Sequence, residues 1–412
     1  MKVAVVGSGG REHALAACLA RTADVVVTPG NPGIPWSTSR PVEELDVDLV
    51  VVGPETPLVD GLADRLRAQG RSVFGPGADG AQLEGSKAWM KDVLVAAGVP
   101  TAGHGTFDDV AAAEAFLDTM GDLFVIKTDG LAAGKGVLVT SSRAEASAAV
   151  REYLSGERFG DAGRRLVIEE GLTGPEVSLL VICDGHRLVP LAPAQDYKRV
   201  GTGDTGPNTG GMGAYSPVPG VTSAMVEQIL DTAVGPTLRE LQRRGIDYRG
   251  VLYTGIMLTP AGPKVIEYNV RFGDPETQVL LPRFAGDLAA LLQQAANGAM
   301  VDDATFNDDA AVTVVCASEG YPGALRTGDP ILGLDAARAV PGVQVFAAGV
   351  GAGPDGRLVT AGGRVLNVTA VAPTIAQASA AAYTAVGMIT WPGMHARADI
   401  ARFGASNTEE TR

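Results

Sequence analysis

Lys264-Val265-Ile266-Glu267-Tyr268-Asn269-Val270-Arg271-Phe272-Gly273-Asp274-Pro275-Glu276 begins as a strand, rich in β-branched and aromatic residues. Side chains alternate across a strand, so Glu267, Asn269 and Arg271 are predicted to share one face, with Val265 on it too. Ile266, Tyr268 and Val270 then point the other way. A carboxylate and a carboxamide two residues apart are hard oxygen ligands, suited to Mg²⁺ held beside phosphate oxygens. Arg271 adds a fixed cation for a phosphoryl or carboxylate group on the same face. Gly273-Asp274-Pro275 breaks the strand into a turn. An edge strand with a solvated polar face has the same pattern, so the motif alone leaves both readings open.

The rest of the chain narrows the choice. Its 412 residues have room for several domains and a sizeable core, and its net charge of −14 argues against broad nucleic-acid or anionic-membrane binding. Any phosphate site must be built locally, from backbone N–H groups and a few placed Lys and Arg. Cys18, Cys183 and Cys316 lie far apart in apolar sequence, which is no disulfide framework or metal cluster and fits a reducing compartment. The four histidines are equally scattered and give no zinc motif. Met1-Lys2 leads directly into a strand, with no signal segment and no apolar run long enough to span a membrane. The expectation is a soluble cytoplasmic protein with small-molecule partners, no nucleic acid and no membrane, as a monomer or weak homo-oligomer.

Lys2-Val3-Ala4-Val5-Val6 is predicted as a buried strand that turns through Gly7-Ser8-Gly9-Gly10-Arg11-Glu12-His13 into a helix over 14–21. Such a turn offers N–H groups and the positive helix end to an anion. A dinucleotide site fits less well: Glu12 stands where Gly or Ala is required, and the strand 25–28 ends without an acidic residue for a ribose. Gly9, Gly10 and Arg11 suit a compact phosphate monoester, with a purely structural turn as the alternative. A strand over 49–52, a helix over 59–69 and a strand over 71–74 continue a doubly wound pattern, which gathers Gly30-Asn31-Pro32-Gly33 and Gly53-Pro54-Glu55 at the same sheet edge.

Lys87 opens a helix running to residue 97. A strand ending in Lys127 leads to Thr128-Asp129-Gly130-Leu131-Ala132-Ala133-Gly134-Lys135-Gly136 and then to the strand 137–140. A P-loop needs a helix and a Ser or Thr after its lysine, and here Gly136 and a strand follow. Strand, glycine loop and strand make either an ordinary long hairpin or a flap that can close over phosphates, and the flanking Lys127 and Lys135 favour the flap. The strand over 165–172, with Glu169, Glu170 and Leu172, offers backbone groups to an adenine edge, and Glu176 is placed for ribose hydroxyls. Gln195-Asp196-Tyr197-Lys198-Arg199 precedes the long polar loop Asp204-Thr205-Gly206-Pro207-Asn208-Thr209-Gly210-Gly211-Met212-Gly213-Ala214-Tyr215, whose donors can line a substrate channel with Asp196 and Asp204 holding an amine.

In this order, the glycine turn at 7–13, Gly53-Pro54-Glu55, and segments 127–136, 204–215 and 269–276 resemble the phosphoribosylamine–glycine ligase (glycinamide ribonucleotide synthetase) family of the ATP-grasp superfamily. Gly320-Tyr321-Pro322-Gly323, Arg326-Thr327-Gly328-Asp329 and Ala361-Gly362-Gly363-Arg364 are also similar. The resemblance runs from Met1 to about residue 402 and implies an ATP-grasp fold, α/β and α+β in class: an N-terminal doubly wound parallel-sheet domain (1–101), a lid subdomain (102–190), a central domain with the metal site (191–318) and a small C-terminal α+β domain (319–412).

It further implies that ATP, glycine and 5-phosphoribosylamine become glycinamide ribonucleotide, ADP and phosphate through a glycyl phosphate, a step of purine biosynthesis. By matching positions, Glu267 and Asn269 bind Mg²⁺, with Mn²⁺ as an alternative, and Arg271 and Lys127 are catalytic. Lys87, Lys127, Gly134, Lys135, Gly136, Glu169, Glu170, Leu172 and Glu176 bind ATP. Gly9, Gly10, Arg11, Asn31, Glu55, Asp196, Lys198, Asp204, Asn208, Thr209, Gly210 and Gly211 bind the other substrates. Three departures stand out. The stretch 31–49 is short, as if a βα unit were trimmed; Thr128 replaces a common alanine; and Ala401-Arg402 replace glycine and tryptophan, a change of packing more than of activity. The competing readings are a ligase for another amino acid, a nicotinamide-dependent oxidoreductase using the first glycine loop, and a non-catalytic ATP sensor.

Overall fold

The computed structural model describes residues 1–131, 136–158 and 160–402; Gly134, Lys135 and the tail after 402 lie outside the described residues. The N-terminal sheet is fully parallel, in the order Asp24–Pro29, Lys2–Gly7, Leu49–Val52, Val73–Phe74. Val3, Ala4, Val5 and all of Leu49–Val52 are buried, because a parallel sheet covered on both faces demands apolar runs without alternation. The crossover between Asp24–Pro29 and Leu49–Val52 carries only the 3₁₀ turn Val42–Glu44, which matches the trimmed connection.

Two helices differ from expectation. The first spans Gly10–Leu19 and so starts inside the glycine turn, where the Glu12 carboxylate accepts the Gly9 N–H at 2.6 Å and caps the end. The helix expected over 59–69 is split into Glu55–Val59 and Leu62–Ala68, because Gly61 takes a left-handed conformation, φ 75°.

Three antiparallel sheets follow. The lid sheet runs His104–Phe107, Leu166–Glu170, Phe124–Thr128, Val137–Thr140, covered by the helices Val110–Leu117 and Arg143–Leu154. The central sheet runs Leu188–Pro190, Glu176–Asp184, Arg249–Thr259, Gly262–Asn269. The sheet boundary therefore falls between Glu170 and Glu176, not at 190, since Glu176–Asp184 pairs along its whole length with Arg249–Thr259. The last sheet runs Gln195–Asp196, Gly213–Ser216, Ala310–Ala317, Arg364–Ala372, Val343–Ala347, so it draws three strands from before residue 319. The polar segment 204–215 is not a plain loop: Arg199–Gly201 and Thr205–Asn208 pair as a hairpin before Gly213–Ser216.

One apolar core joins the N-terminal, central and C-terminal sheets through residues such as Val3, Leu15, Leu180, Tyr253, Val314 and Val368. The lid packs around a separate core containing Leu117, Ile126, Val150 and Ile168. Among the described residues no helix is long and apolar enough to cross a membrane. All three cysteines are free and buried.

His13 joins the first helix to the last sheet. It accepts the Ala347 N–H at Nδ1 (2.9 Å) and sits edge-on to Trp36 and Phe346. Burial, helped by the Arg338 guanidinium, pushes its pKa down to about 4. The folded chain then holds fewer protons than the unfolded chain between the unperturbed pKa of 6.5 and about 4. Stability contributed by neutral His13 is full above that window and is lost as pH falls through it, by about 3 kcal/mol. Urea unfolding at pH 7.5 and pH 4.5 is expected to show this loss, and a His13→Gln variant to reduce it.

At the other end, Arg397 pairs with Asp399 at 2.7 Å, bonds Arg199 O and Asp204 Oδ1, and stacks over Tyr197. Just beyond it Ala401, fully buried, has φ 65°, a left-handed backbone conformation that favours glycine. That conformation costs an L-residue about 1–2 kcal/mol, and the entropy glycine loses on folding offsets about 0.5–1 kcal/mol of the relief. Ala401→Gly is therefore expected to raise the free energy of unfolding by up to about 1 kcal/mol in a urea titration.

Candidate active site

A cavity of about 720 Å³ opens between the lid and the body, within the range that holds a nucleotide-sized ligand. Its wall gathers Arg11, Glu55 and Glu84 from the N-terminal region, Lys87 from the helix Lys87–Ala96, Lys127 and Leu172 from the lid side, and Glu176, Glu267, Asn269 and Arg271 from the central sheet. Tyr321 and Arg364 complete it from the C-terminal part.

The opening strand motif lies at its centre, with one change of register. Gly255 pairs with Glu267 and Ile256 with Val265, so Ile266 is an extra residue in a β-bulge. The bulge shifts the alternation by one. Val265, expected beside Glu267, is fully buried with Tyr268 and Val270 in the core, and Ile266, expected in the core, lines the cavity. Glu267, Asn269 and Arg271 do share the cavity face. The Ile266 carbonyl accepts the Lys127 ammonium at 3.2 Å, and the Val265 carbonyl accepts Thr101 Oγ1 at 2.7 Å.

Carboxylates outnumber cations among the described residues of the cavity wall. Arg271 is held by Glu55 (3.2 Å) and Glu84 (2.9 Å) and donates to Asn269 Oδ1 at 3.3 Å. Burial works against the Glu267 charge, but the ammoniums of Lys198, Lys127 and Lys87 and the Arg271 guanidinium outweigh it and hold the carboxyl below its usual range. Among the described residues no side chain donates a hydrogen bond to Glu267, which leaves its oxygens open to the cavity. Lys198 reaches Glu176 at 2.6 Å and Asp196 at 3.6 Å. Burial, reinforced by the carboxylates of Glu276, Glu176 and Glu267, pushes the Asp196 carboxyl up to about 7 against the pull of Lys198.

Under the lid, Lys127 lies 2.8 Å from Glu169 Oε1, and Lys91 lies 3.0 Å from Glu169 Oε2. Glu169 is thus committed to two lysines rather than turned freely to a ligand. Lys87 donates to Gly130 O at 3.0 Å, while Ser86 and Asp129 cap the start of its helix. Gly136, Glu170, Leu172, Asn208, Thr209 and Gly210 line the cavity as expected. Thr209 and Gly210 are anchored, Thr209 Oγ1 donating to Lys198 O and the Gly210 N–H donating to Tyr321 Oη.

Other expected residues sit elsewhere. Gly9 is occupied with Glu12, and Gly10 is packed against Asn367, so the first glycine turn is closed by its own helix and only Arg11 of that trio reaches the cavity. Asn31 donates to Ser8 O and Ala348 O, joining the N-terminal and C-terminal parts. Asp204 pairs with Arg397, and Gly211, at φ 108°, lies against Pro275 outside the wall.

The structure also brings in residues that no local spacing marks. Glu84 holds Arg271, and Glu276 accepts Tyr253 Oη at 2.9 Å from within the cavity wall. Arg364 grips Asp274 at 2.8 Å and the Gly210 carbonyl. Glu276, Asp274 and Arg364 all fall inside quoted motifs, which was the available signal; Glu84 sits in an ordinary amphipathic helix and had none.

Comparison with known proteins agrees over 97% of the chain. Residues 1–84 match the phosphoribosylglycinamide synthetase N domain, 85–277 its ATP-grasp (A) domain and 311–403 its C domain. The phosphoribosylamine–glycine ligase of Rhizobium meliloti is 49% identical over 97% of this chain and 98% of its own length, and that of Brucella melitensis is 47% identical over 97% of each. The crystal structure of the Thermotoga maritima phosphoribosylamine–glycine ligase superposes with a TM-score of 0.84 at 33% identity, over 97% of this chain and all of that one. A biotin carboxylase domain from Hydrogenobacter thermophilus, solved with magnesium ADP and bicarbonate, shares the fold at a TM-score of 0.72 and 18% identity. The chain belongs to the phosphoribosylglycinamide synthetase family.

Proposed function

We propose that this cavity joins glycine to 5-phosphoribosylamine at the expense of ATP, giving glycinamide ribonucleotide, ADP and phosphate, with glycyl phosphate as the intermediate. The observation that carries the reading is the meeting, in one cavity, of the Glu267 and Asn269 oxygens with the Lys87 and Lys127 ammoniums. Phosphoryl transfer depends on position and charge stabilisation more than on covalent chemistry, and this arrangement supplies both.

Glu267 and Asn269 suit Mg²⁺, with Mn²⁺ as the alternative: both are hard oxygen donors on one face, and Glu267 has no competing protein donor among the described residues. The described residues contain no cluster of three or more acidic, His or Cys ligands, which fits an ion completed by phosphate oxygens and water rather than a protein cage. Glu267 and Asn269 would hold the ion, which would supply charge stabilisation for phosphoryl transfer.

Lys127 and Lys87 hold the phosphates, and Glu170, Leu172 and Glu176 the adenosine end. A glycine carboxylate oxygen attacks the γ-phosphorus as ADP departs, beside Arg271, whose guanidinium is fixed by Glu55 and Glu84. The phosphoribosylamine nitrogen then attacks the acyl carbon, phosphate leaves, and the nitrogen sheds a proton. Asp196, Lys198 and Asn208 to Gly210 frame the amino-acid end, and Arg11 is the cation suited to the sugar phosphate. An acidic chain with small-molecule partners and buried thiols fits a cytoplasmic monomer or weak homo-oligomer.

The full chain, given Mg-ATP, glycine and phosphoribosylamine generated in situ, is expected to release ADP only when all three are present. Preference for alanine over glycine would move the assignment to another ligase, and tight ATP binding without turnover would make the chain a sensor. Glu267→Gln is expected to lower ADP formation by about 10²-fold or more, in line with the loss of one charge-stabilising group. Wild-type turnover in that variant would remove Glu267 from the site.

A further inference from the structure

We propose that Lys91, which lies outside the cavity, is a positioning residue for the nucleotide phosphates: it occupies one oxygen of Glu169, so that Lys127 keeps its charge for the cavity. The inference rests on the reading that a nucleotide enters beneath the lid. Lys91 has no solvent exposure and does not line the cavity, whereas Lys127, 3% exposed, does. Between them, Glu169 divides its carboxylate, Oε2 to Lys91 at 3.0 Å and Oε1 to Lys127 at 2.8 Å. Two ammoniums and one carboxylate leave a net single positive charge, and only Lys127 can present it to a ligand. Without Lys91, Glu169 would cancel Lys127 in a low-dielectric site and draw it away from the phosphates.

The same lysine fixes geometry as well as charge. It stands on the helix Lys87–Ala96 of the body, while Glu169 and Lys127 belong to the lid strands Leu166–Glu170 and Phe124–Thr128. Its ammonium also donates to Thr101 Oγ1 at 2.7 Å, and that hydroxyl donates to the Val265 carbonyl at the bulge. Lys127 meets the next carbonyl, Ile266. Lys91 thereby ties the lid, the body helix and the bulged strand to one point. A buried lysine is costly unless its donors are satisfied, and Glu169 and Thr101 satisfy Lys91 here.

The test measures binding of Mg-AMP-PNP to the full chain by calorimetry, with thermal melting as the check on folding. Lys91→Gln keeps a donor for Glu169 and Thr101 and removes the charge. It is expected to weaken AMP-PNP binding about tenfold while leaving the KM for glycine within about twofold, a split that general disorder of the site would not produce. Lys91→Arg is expected to restore the affinity. The double variant Lys91→Gln/Glu169→Gln is expected to return to within about threefold of wild type, since nothing then cancels Lys127. Affinity unchanged in Lys91→Gln, or a folded double variant as weak as the single one, overturns the proposal. Should the single variant not fold, Glu169→Gln and the double variant are compared: with no carboxylate to occupy, loss of the Lys91 charge should change affinity less than threefold, and a tenfold change refutes the role. A wild-type chain that binds no nucleotide removes the underlying site reading, and Lys91 with it.

Discussion

The bulge at Ile266 is the constraint on which the site depends. A strand with unbroken alternation would put Val265 against the cavity and turn Ile266 into the core. One extra residue reverses both while leaving Glu267, Asn269 and Arg271 on the cavity side. It also leaves two consecutive carbonyls, Val265 and Ile266, to accept Thr101 and Lys127. The Glu267 and Asn269 oxygens, Lys127 and the helix bearing Lys87 and Lys91 are thereby set relative to one another by a single local irregularity. Bulges re-aim side chains at functional sites for this reason.

Around that strand the charges are paired before any ligand arrives. Arg271 has two carboxylates, Lys198 has two, and Glu169 has two lysines. Such networks keep buried ions from being left unsatisfied, and they hold donors where charge develops during phosphoryl transfer, with little reorganisation needed. Glu267 differs: cations surround it at a distance, but no described side chain donates to it. A carboxylate kept ionised yet unoccupied is what a divalent ion requires.

No single unit contains the site. The N-terminal region contributes Glu55 and Glu84, the lid Lys127, the central sheet Glu267 and Asn269, and the last sheet Arg364, which clasps both Asp274 and the Gly210 loop. The N-terminal, central and C-terminal sheets share one core. The lid has a core of its own and meets the body through the ion pair of Lys91 with Glu169 and the hydrogen bond from Lys127 to Ile266 O.

Much of this was legible from spacing alone. The apolar runs Val3 to Val6 and Leu49 to Val52, the strand–glycine loop–strand after Lys127, and the shared face of Glu267, Asn269 and Arg271 follow from local periodicity and turn chemistry. Other features depend on partners distant in the chain, and no local pattern announces them. The exchange of Val265 and Ile266 is decided by pairing with Arg249–Thr259, and the capture of Glu169 by Lys91 and Lys127 by the lid meeting the body helix. The diversion of Asn31 and Asp204 to structural work is decided by the C-terminal segment. The sequence determined which groups were available and which strands carried them. Which of those groups face the ligand is a property of register and long-range burial, and that only the folded chain decides.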